Sequence, residues 1–450
     1  MLHIEPKESL LDELVSIRIT GLRPGQPVTM RCETVEQKFV FESHAHFIAS
    51  LNGEVDLSQD PSFGGCYLGV DAMGIFAHML PASGQMMGLR YFPRHCMDAM
   101  VFKLQVYDGH LSESSKLCHK LKEGGGAVHV PLMEDVALRR CNGSGVTRHE
   151  VRHGRVRGTI FRPPGAGPFK GVIDIYGGAG GINESRVAML ASHGFIAFTL
   201  PHHKYADLPE LLMDVEIEYF MEAIDYFTSL PDVQSNIGVL GVCAGGAIAL
   251  FLSTISSKIS ALIAFASPYT FLQPLLYKGS QTEYLNSLEE TLVFDKRGGF
   301  YFDELINHHT PSDDFAIRIE KSTCKFLIVA GSDDKSVCAV RSGRYLLERM
   351  RRHGKGGQIT LLEYPGAGHF IDPPYMPKTL LMYYPEFKAC AAVGGEAAES
   401  SIASLHCWRE TLEFLKRNVG MHSRMCDELW SGFVFIDYGI LFMHMSGKHR

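Results

Sequence analysis

Residues 237–255 read IGVLGVCAGGAIALFLSTI. A short apolar run ends at Val242, one thiol follows, and two glycines then open a stretch with apolar residues at helical spacing. A chain that passes from buried strand to helix within so few residues brings backbone against backbone. Glycine on either side of the turn is what lets the neighbouring strand and helix come that close. The spacing G-x-C-x-G is that of a nucleophile elbow, with sulfur where serine is usual. On such a turn Cys243 stands at the carboxyl edge of a parallel sheet, beside a helix N-terminus that favours thiolate. The plainer alternative makes Cys243 a small buried hydrophobe, as most free cysteines are.

The surrounding pattern supports the turn. GVIDIYG (171–177), IAFTLP (196–201), ALIAFA (261–266), FLIVAG (326–331) and ITLLEY (359–364) are continuous apolar runs. Helix-like ESRVAMLASHG and PELLMDVEIEYFMEAIDYFTSL (209–230) lie between them. Apolar strands alternating with helices predict a parallel sheet covered on both faces. Residues 270–320 lack such periodicity and could form a lid or insertion.

Ahead of this region the rhythm differs. SIRITGL (16–22), PVTMRCE (27–33), FVFESHAHFIAS (39–50), MVFKLQVYDG (100–109), AVHVPL (127–132) and VRHGRVRGTIF (151–161) read as short strands separated by turns. They predict an N-terminal antiparallel β-sandwich over residues 1–160. The Pro- and Gly-rich RPPGAGPF (162–169) reads as a junction. The expected organisation is therefore a sandwich, an α/β-hydrolase domain over 161–420, and a C-terminal tail, 421–450.

The order nucleophile, acid, His belongs to the α/β-hydrolase fold. After FLIVAG comes SDDK, where Asp333 or Asp334 could orient an imidazole; after ITLLEY comes PGAGHFIDPPY, which supplies His369. One loop histidine is usually a surface residue. Three elements in the right order, each at a strand's carboxyl end, point to a triad. The expected oxyanion donors are the backbone N–H of Ala244 and one from YGGAGG (176–181), assigned to Gly178.

Other chemistries lack a signal. A net charge of −7 gives no pull toward nucleic acid. There is no GKS or GKT P-loop, no GxGxxG between strand and helix, and no CxxC, so no cofactor or metal is expected. Eleven scattered cysteines and the absence of an apolar signal segment at the start favour a reducing, cytoplasmic setting. The final KHR is not a peroxisomal SKL-type tag. LWSGFVFIDYGILFMHM (429–445) carries Asp437 near its middle. An acid there costs about 2.5–3.5 kcal/mol in a bilayer, so no membrane span is expected.

GVIDIYGGAGG, KYADLPELLMDVEIEYFMEAIDY, GVCAGG, GSDD and YPGAGHFIDPPY resemble the acyl-CoA thioester hydrolase / bile acid-CoA:amino acid N-acyltransferase family. So do IRITGLRPGQPV, NGEVDLSQDPSFGGCYLGVDAMG and VRHGRVRGTIFRPPG in the N-terminal half, and GGEAAES…WRETLEFLKRNV (394–419) near the end. DAMG (71–74) stands where the family usually has DPMG, and the likeness stops near residue 420. The resemblance implies acyl-CoA thioesters as substrates and the triad Cys243, Asp334 and His369. It also implies glycine or taurine as an acceptor, because the family's N-acyltransferase branch carries cysteine at the elbow and its thioesterase branch mostly serine. Thiolate attack on a thioester is nearly thermoneutral, and the resulting acyl-thioenzyme yields to amines more readily than to water. Hydrolysis alone is the alternative. An inert α/β-hydrolase relative, or a lactone hydrolase without the sandwich, are the other classes. Arg139, Arg140, Arg351 and Arg352 are candidates for the CoA phosphates, with solvated surface charge as the plainer account. His202 and His203 could line the pocket or be structural.

Overall fold

The computed structural model describes residues 1–111, 130–285, 294, 298–301, 311–384 and 388–420. Residues 127–129 of the expected strand AVHVPL, parts of 270–320 and the apolar stretch 429–445 lie outside them.

An eight-stranded sheet carries the elbow. Its order is Thr147–His153, Val156–Arg162, Ile196–Thr199, Gly171–Ile175, Ile237–Val242, Ile259–Phe265, Lys325–Gly331, Ile359–Tyr364. From Ile196–Thr199 onward every pairing is parallel. The apolar runs that predicted it are buried on both faces: every residue of Gly171–Ile175 and Ile237–Val242 is buried. Alternate residues serve different cores. Leu240 and Val242 join one apolar cluster, Ile237 and Val239 the other. The first cluster takes in Val187 and Leu190 of the helix Ser185–Ser192, and Cys407 and Leu415 of Ala397–Asn418. It continues into Phe41, Phe76 and Phe102 of the N-terminal region. The second packs Phe220, Leu250 and Leu346 from Ile217–Ser229, Ala244–Ile255 and Ala339–Arg352. The N-terminal region thus shares one continuous core with one face of the large sheet.

That region is built from sheets of six and three strands. The larger runs Glu8–Leu10, Met133–Arg140, Met100–Asp108, Pro27–Glu36, Phe39–Ile48, Leu80–Pro81; the smaller joins Leu2–Glu5, Ser16–Ile19 and Val55–Asp56. All pairings are antiparallel except that of Glu8–Leu10 with Met133–Arg140.

Two details differ from the sequence reading. Of the run expected as a strand at 127–132, the described residues 130–132 are not in one; the strand described next is Met133–Arg140, where alternation is masked by three charged residues, Glu134, Asp135 and Arg139, among its first seven. The segment VRHGRVRGTIF spans the turn and nearly all of the second strand of a hairpin, Thr147–His153 with Val156–Arg162, whose second strand pairs with Ile196–Thr199 in the large sheet. The change from the N-terminal sheets to the large sheet therefore falls after Arg140, not at residue 160. A period-2 pattern specifies a strand with one buried face but not the sheet it joins.

A Cβ on Gly245 would lie 2.3 Å from the carbonyl oxygens of both Ile175 and Tyr176. Gly245→Ala is expected to lower unfolding stability by about 2–3 kcal/mol, since overpacking against backbone finds no side chain to move aside. Urea denaturation measures it; a loss below about 0.5 kcal/mol would contradict the close approach.

Candidate active site

The elbow has the strained geometry its sequence implies. Cys243 has φ +54° and ψ −121°, a region that costs a non-glycine residue about 1–3 kcal/mol. The surroundings hold it there: its N–H donates to Phe265 O at 2.9 Å, and its carbonyl accepts from Gly246 N at 2.9 Å. Ala244 begins the helix, so its N–H has no acceptor within that helix. The turn after Gly171–Ile175 packs against both residues. A Cβ on Gly177 would sit 3.4 Å from Cys243 Cβ, and one on Gly178 3.6 Å from Ala244 Cβ. Sequence reasoning named Gly178 and Ala244 together, and the structure brings them together. His203 buttresses that turn, its Nε2 donating to Gly178 O at 3.1 Å. Its neighbour His202 is wholly buried, and burial, helped by His203, pushes its pKa down to about 3, so it is neutral.

The imidazole comes from the loop after Ile359–Tyr364. His369 is 3% exposed and Asp334 6%. Nδ1 of His369 lies 2.9 and 3.0 Å from the two carboxylate oxygens of Asp334. Oδ1 of Asp334 also accepts from Ser336 N at 2.8 Å and Val337 N at 3.0 Å, so this carboxylate is fixed by its own turn. Asp333, left open by spacing alone, turns elsewhere: its Oδ2 accepts from Gly395 N at 2.7 Å and its Oδ1 meets Lys335 Nζ at 3.1 Å. The half-buried thiol of Cys243 also acts electrostatically on the imidazole of His369. With Nδ1 committed to Asp334, Nε2 is the nitrogen left for the sulfur. Burial alone would depress the basicity of His369, but Asp334 foremost and then Cys243 overcome it and push its pKa up to about 10. The ring is an imidazolium at neutral pH.

A third loop, unread in the sequence, locks these two. His369 N donates to Val393 O at 2.8 Å, and Asp334 forms a bridge with Gly394. Gly394 has φ +71°, and a Cβ there would fall 1.7 Å from Asp333 O. No other residue fits. GGEAAES contained the signal, two adjacent glycines just before a helix, but only the crossing of the loops shows what they permit.

Of the basic candidates for phosphate contact, Arg139 is not surface charge. It is fully buried and donates Nη2 to Leu11 O at 2.5 Å and Glu13 O at 2.9 Å. A charged strand residue looks exposed until the fold closes over it. Arg140 pairs with Glu8 and Arg352 with Asp313. Among the described residues no group of three or more His, Cys, Asp or Glu is arranged to hold a metal, and no helix is long and apolar enough to cross a membrane.

An elbow, an acid after a later strand and a histidine after the last one, on a mostly parallel sheet with helices on both faces, define an α/β-hydrolase-fold protein with an N-terminal β-sandwich. Residues 12–153 match the acyl-CoA thioester hydrolase/BAAT N-terminal region, and residues 215–421 the BAAT/acyl-CoA thioester hydrolase C-terminal domain. The chain is 35% identical over 419 residues to the bile acid-CoA:amino acid N-acyltransferase of Mus musculus, covering 92% of this chain and 96% of that one. It is 32% identical over 423 residues to the mouse acyl-coenzyme A amino acid N-acyltransferase 2, with 92% and 96% covered. To the mouse acyl-coenzyme A thioesterase 5 it is 32% identical over 427 residues, with 94% and 97% covered. The chain belongs to the BAAT/acyl-CoA thioester hydrolase family, and is an enzyme.

The raised pKa of His369 has a consequence for stability. Its folded value lies above the unfolded value of about 6.5, so this group's contribution is complete below that pH and is lost as pH rises through about 10. Asp334→Asn removes the largest cause. Chemical denaturation at pH 6, 8 and 10 is expected to show a smaller decline in stability between pH 6 and 10 in the variant than in the native protein. Equal declines would exclude the buried pair as their source.

Proposed function

We propose that the protein transfers an acyl group from coenzyme A to the amino group of a small amino acid, through an acyl-Cys243 intermediate. The observation that carries this reading is a half-buried sulfur on a strained elbow, together with an imidazole whose Nδ1 is held at 2.9 Å by the buried carboxylate of Asp334, which raises its basicity. An imidazolium beside a thiol is the arrangement that favours thiolate, and thiolate is the nucleophile in thioester exchange. The proposed triad is Cys243 as nucleophile, His369 as proton carrier, and Asp334 holding its tautomer and stabilising its charge.

The sulfur of Cys243 attacks the carbonyl carbon of the acyl-CoA. The oxyanion that forms lies between the N–H groups of Ala244 and Gly178. One such donor is worth about 2.7–4 kcal/mol to the transition state. Collapse expels the CoA thiolate, which takes the proton of His369 Nε2, and leaves a neutral imidazole. The acceptor amine then attacks the acyl-thioester, and His369 takes up the proton that the amine loses. The second tetrahedral adduct expels the Cys243 thiolate and releases an amide. Acyl-CoA and amine become amide and free CoA, and no bond to water forms. Because one thioester replaces another, the enzyme acyl group remains active enough for an amine.

The names of the relatives support a CoA thioester donor carrying a bile acyl or another acyl group, and two of the three name an amino acid acceptor; glycine and taurine are the acceptors to test first. The thioesterase relative supports a second reading, in which water deacylates Cys243. A reducing compartment such as the cytosol suits a thiol nucleophile.

Purified protein is incubated with a long-chain acyl-CoA or a bile acyl-CoA, with and without glycine or taurine, and conjugate and free acid are quantified. Conjugate is expected to dominate when the amine is present; free acid alone, unaffected by either amine, would establish hydrolysis instead. Cys243→Ala is expected to lower turnover by at least about 10⁴-fold, and Cys243→Ser to shift the remaining product toward free acid. Full turnover by the alanine variant would remove Cys243 from the mechanism.

A further inference from the structure

We propose that Arg90, from the N-terminal region, is a positioning residue of the active site: it clamps the loop that carries His369 and the strand end that carries the oxyanion turn. The inference rests on reading Cys243 and His369 as the working pair. Arg90 lies between the strands Leu80–Pro81 and Met100–Asp108. Its side chain is 5% exposed, and its Nη2 reaches both carboxylate oxygens of Asp372, at 2.7 and 2.8 Å. Asp372 follows His369 by three residues in HFID. The guanidinium also lies 3.4 Å from the ring centre of Phe370, 4.7 Å from that of Phe92 and 5.3 Å from that of Tyr176. Phe370 in turn meets the imidazole edge-on, with ring centres 4.9 Å apart. Tyr176 directly precedes Gly177, which packs on Cys243. One planar cation therefore touches the histidine loop through an ion pair and a stacked ring, and the oxyanion side through a second ring.

This cluster is a poor way to gain stability. Two of the guanidinium's nitrogens, Nε and Nη1, are buried with no hydrogen-bond partner. A buried ion pair with unmet donors is commonly no more stable than an apolar replacement of similar volume. What a planar guanidinium stacked on aromatic rings supplies is orientation in a fixed plane, which a lysine cannot reproduce. Asp372 also faces Asp174, Arg186, Tyr176 and Lys378, all buried. Arg186 is paired with Asp174 at 3.4 Å, and Lys378 donates to Ser404 Oγ at 3.0 Å, so Arg90 is the cation in direct contact with Asp372. The N-terminal region thereby becomes part of the machinery that aims the imidazole.

The test follows alkylation of Cys243 by iodoacetamide across pH, read at its own peptide by mass spectrometry, in the full chain without acyl-CoA. Native protein, Arg90→Gln, Arg90→Lys, Asp372→Asn and the double variant Arg90→Gln/Asp372→Asn are compared. The two neutral single variants are expected to slow alkylation at pH 7 by about tenfold to a hundredfold, the scale of losing alignment between reacting groups, and to move the profile to higher pH. The double variant is expected to be no worse than the worse single, and the lysine variant to fall between native and glutamine. Trp408→Phe serves as a structural control. It breaks another tie to the N-terminal region, the Nε1–Asp12 Oδ2 bond of 2.7 Å, and is expected to lower the unfolding temperature while leaving the Cys243 profile unchanged. Native-like profiles in cooperatively folded Arg90→Gln and Asp372→Asn overturn the proposal. If Arg90→Gln does not fold, Arg90→Lys and Asp372→Asn decide it in the same way. An unreactive Cys243 in the native protein would instead overturn the acyl-enzyme reading itself, a result distinct from native reactivity that the variants share.

Discussion

The first turn of the helix Ala244–Ile255 passes so near the carbonyls of Ile175 and Tyr176 that position 245 admits no side chain. That approach has several consequences at once. It forces the strand Ile237–Val242 to end abruptly, which places Cys243 at φ +54° with its sulfur raised at the sheet's edge. It brings the turn Gly177-Gly178 against Cys243 and Ala244, so two backbone segments distant in sequence face one point. The strain of the elbow, about 1–3 kcal/mol, is offset by the packing around it, where the strand and most of the helix are buried.

The remaining chemistry depends on loops that cross one another outside the parallel strands. Asp333 and Asp334 are neighbours with different tasks: the first ties down the backbone of Gly395, the second receives the imidazole. Gly394 makes that crossing possible, and the backbone of Val393 holds His369 from the same side. Burial then decides the electrostatics. In so dry a place an unpaired imidazolium would lose its proton. The carboxylate at 2.9 Å reverses the sign and keeps the ring charged.

The N-terminal sandwich is no mere appendage. Its core runs without a break into one face of the large sheet through the helices Ser185–Ser192 and Ala397–Asn418. Asp12 is gripped by His193 and Trp408, and Arg90 by Asp372. These contacts tie the first domain to the segment after His369 and to the helix Ala397–Asn418.

Much of this was readable in the residues themselves. Continuous apolar runs such as GVIDIYG and FLIVAG specify buried parallel strands because a strand covered on both faces has no polar side. G-x-C-x-G specifies the elbow because only glycine tolerates backbone on both flanks. These are local constraints, and local sequence carries them. What sequence could not decide was set by contacts between distant segments. Thr147–Arg162 reads as short strands around a turn, and only pairing with Ile196–Thr199 assigns it to the large sheet. Asp333 and Asp334 are equivalent by spacing, and the difference between them is the direction each side chain takes after the loop folds. Arg139 reads as surface charge until two sheets close over it, and Arg90 has no motif at all. Chemistry that depends on one residue and its neighbours is written in the sequence. Alignment among an imidazole, a thiol and a guanidinium from three separate loops exists only once the tertiary structure has removed water from between them.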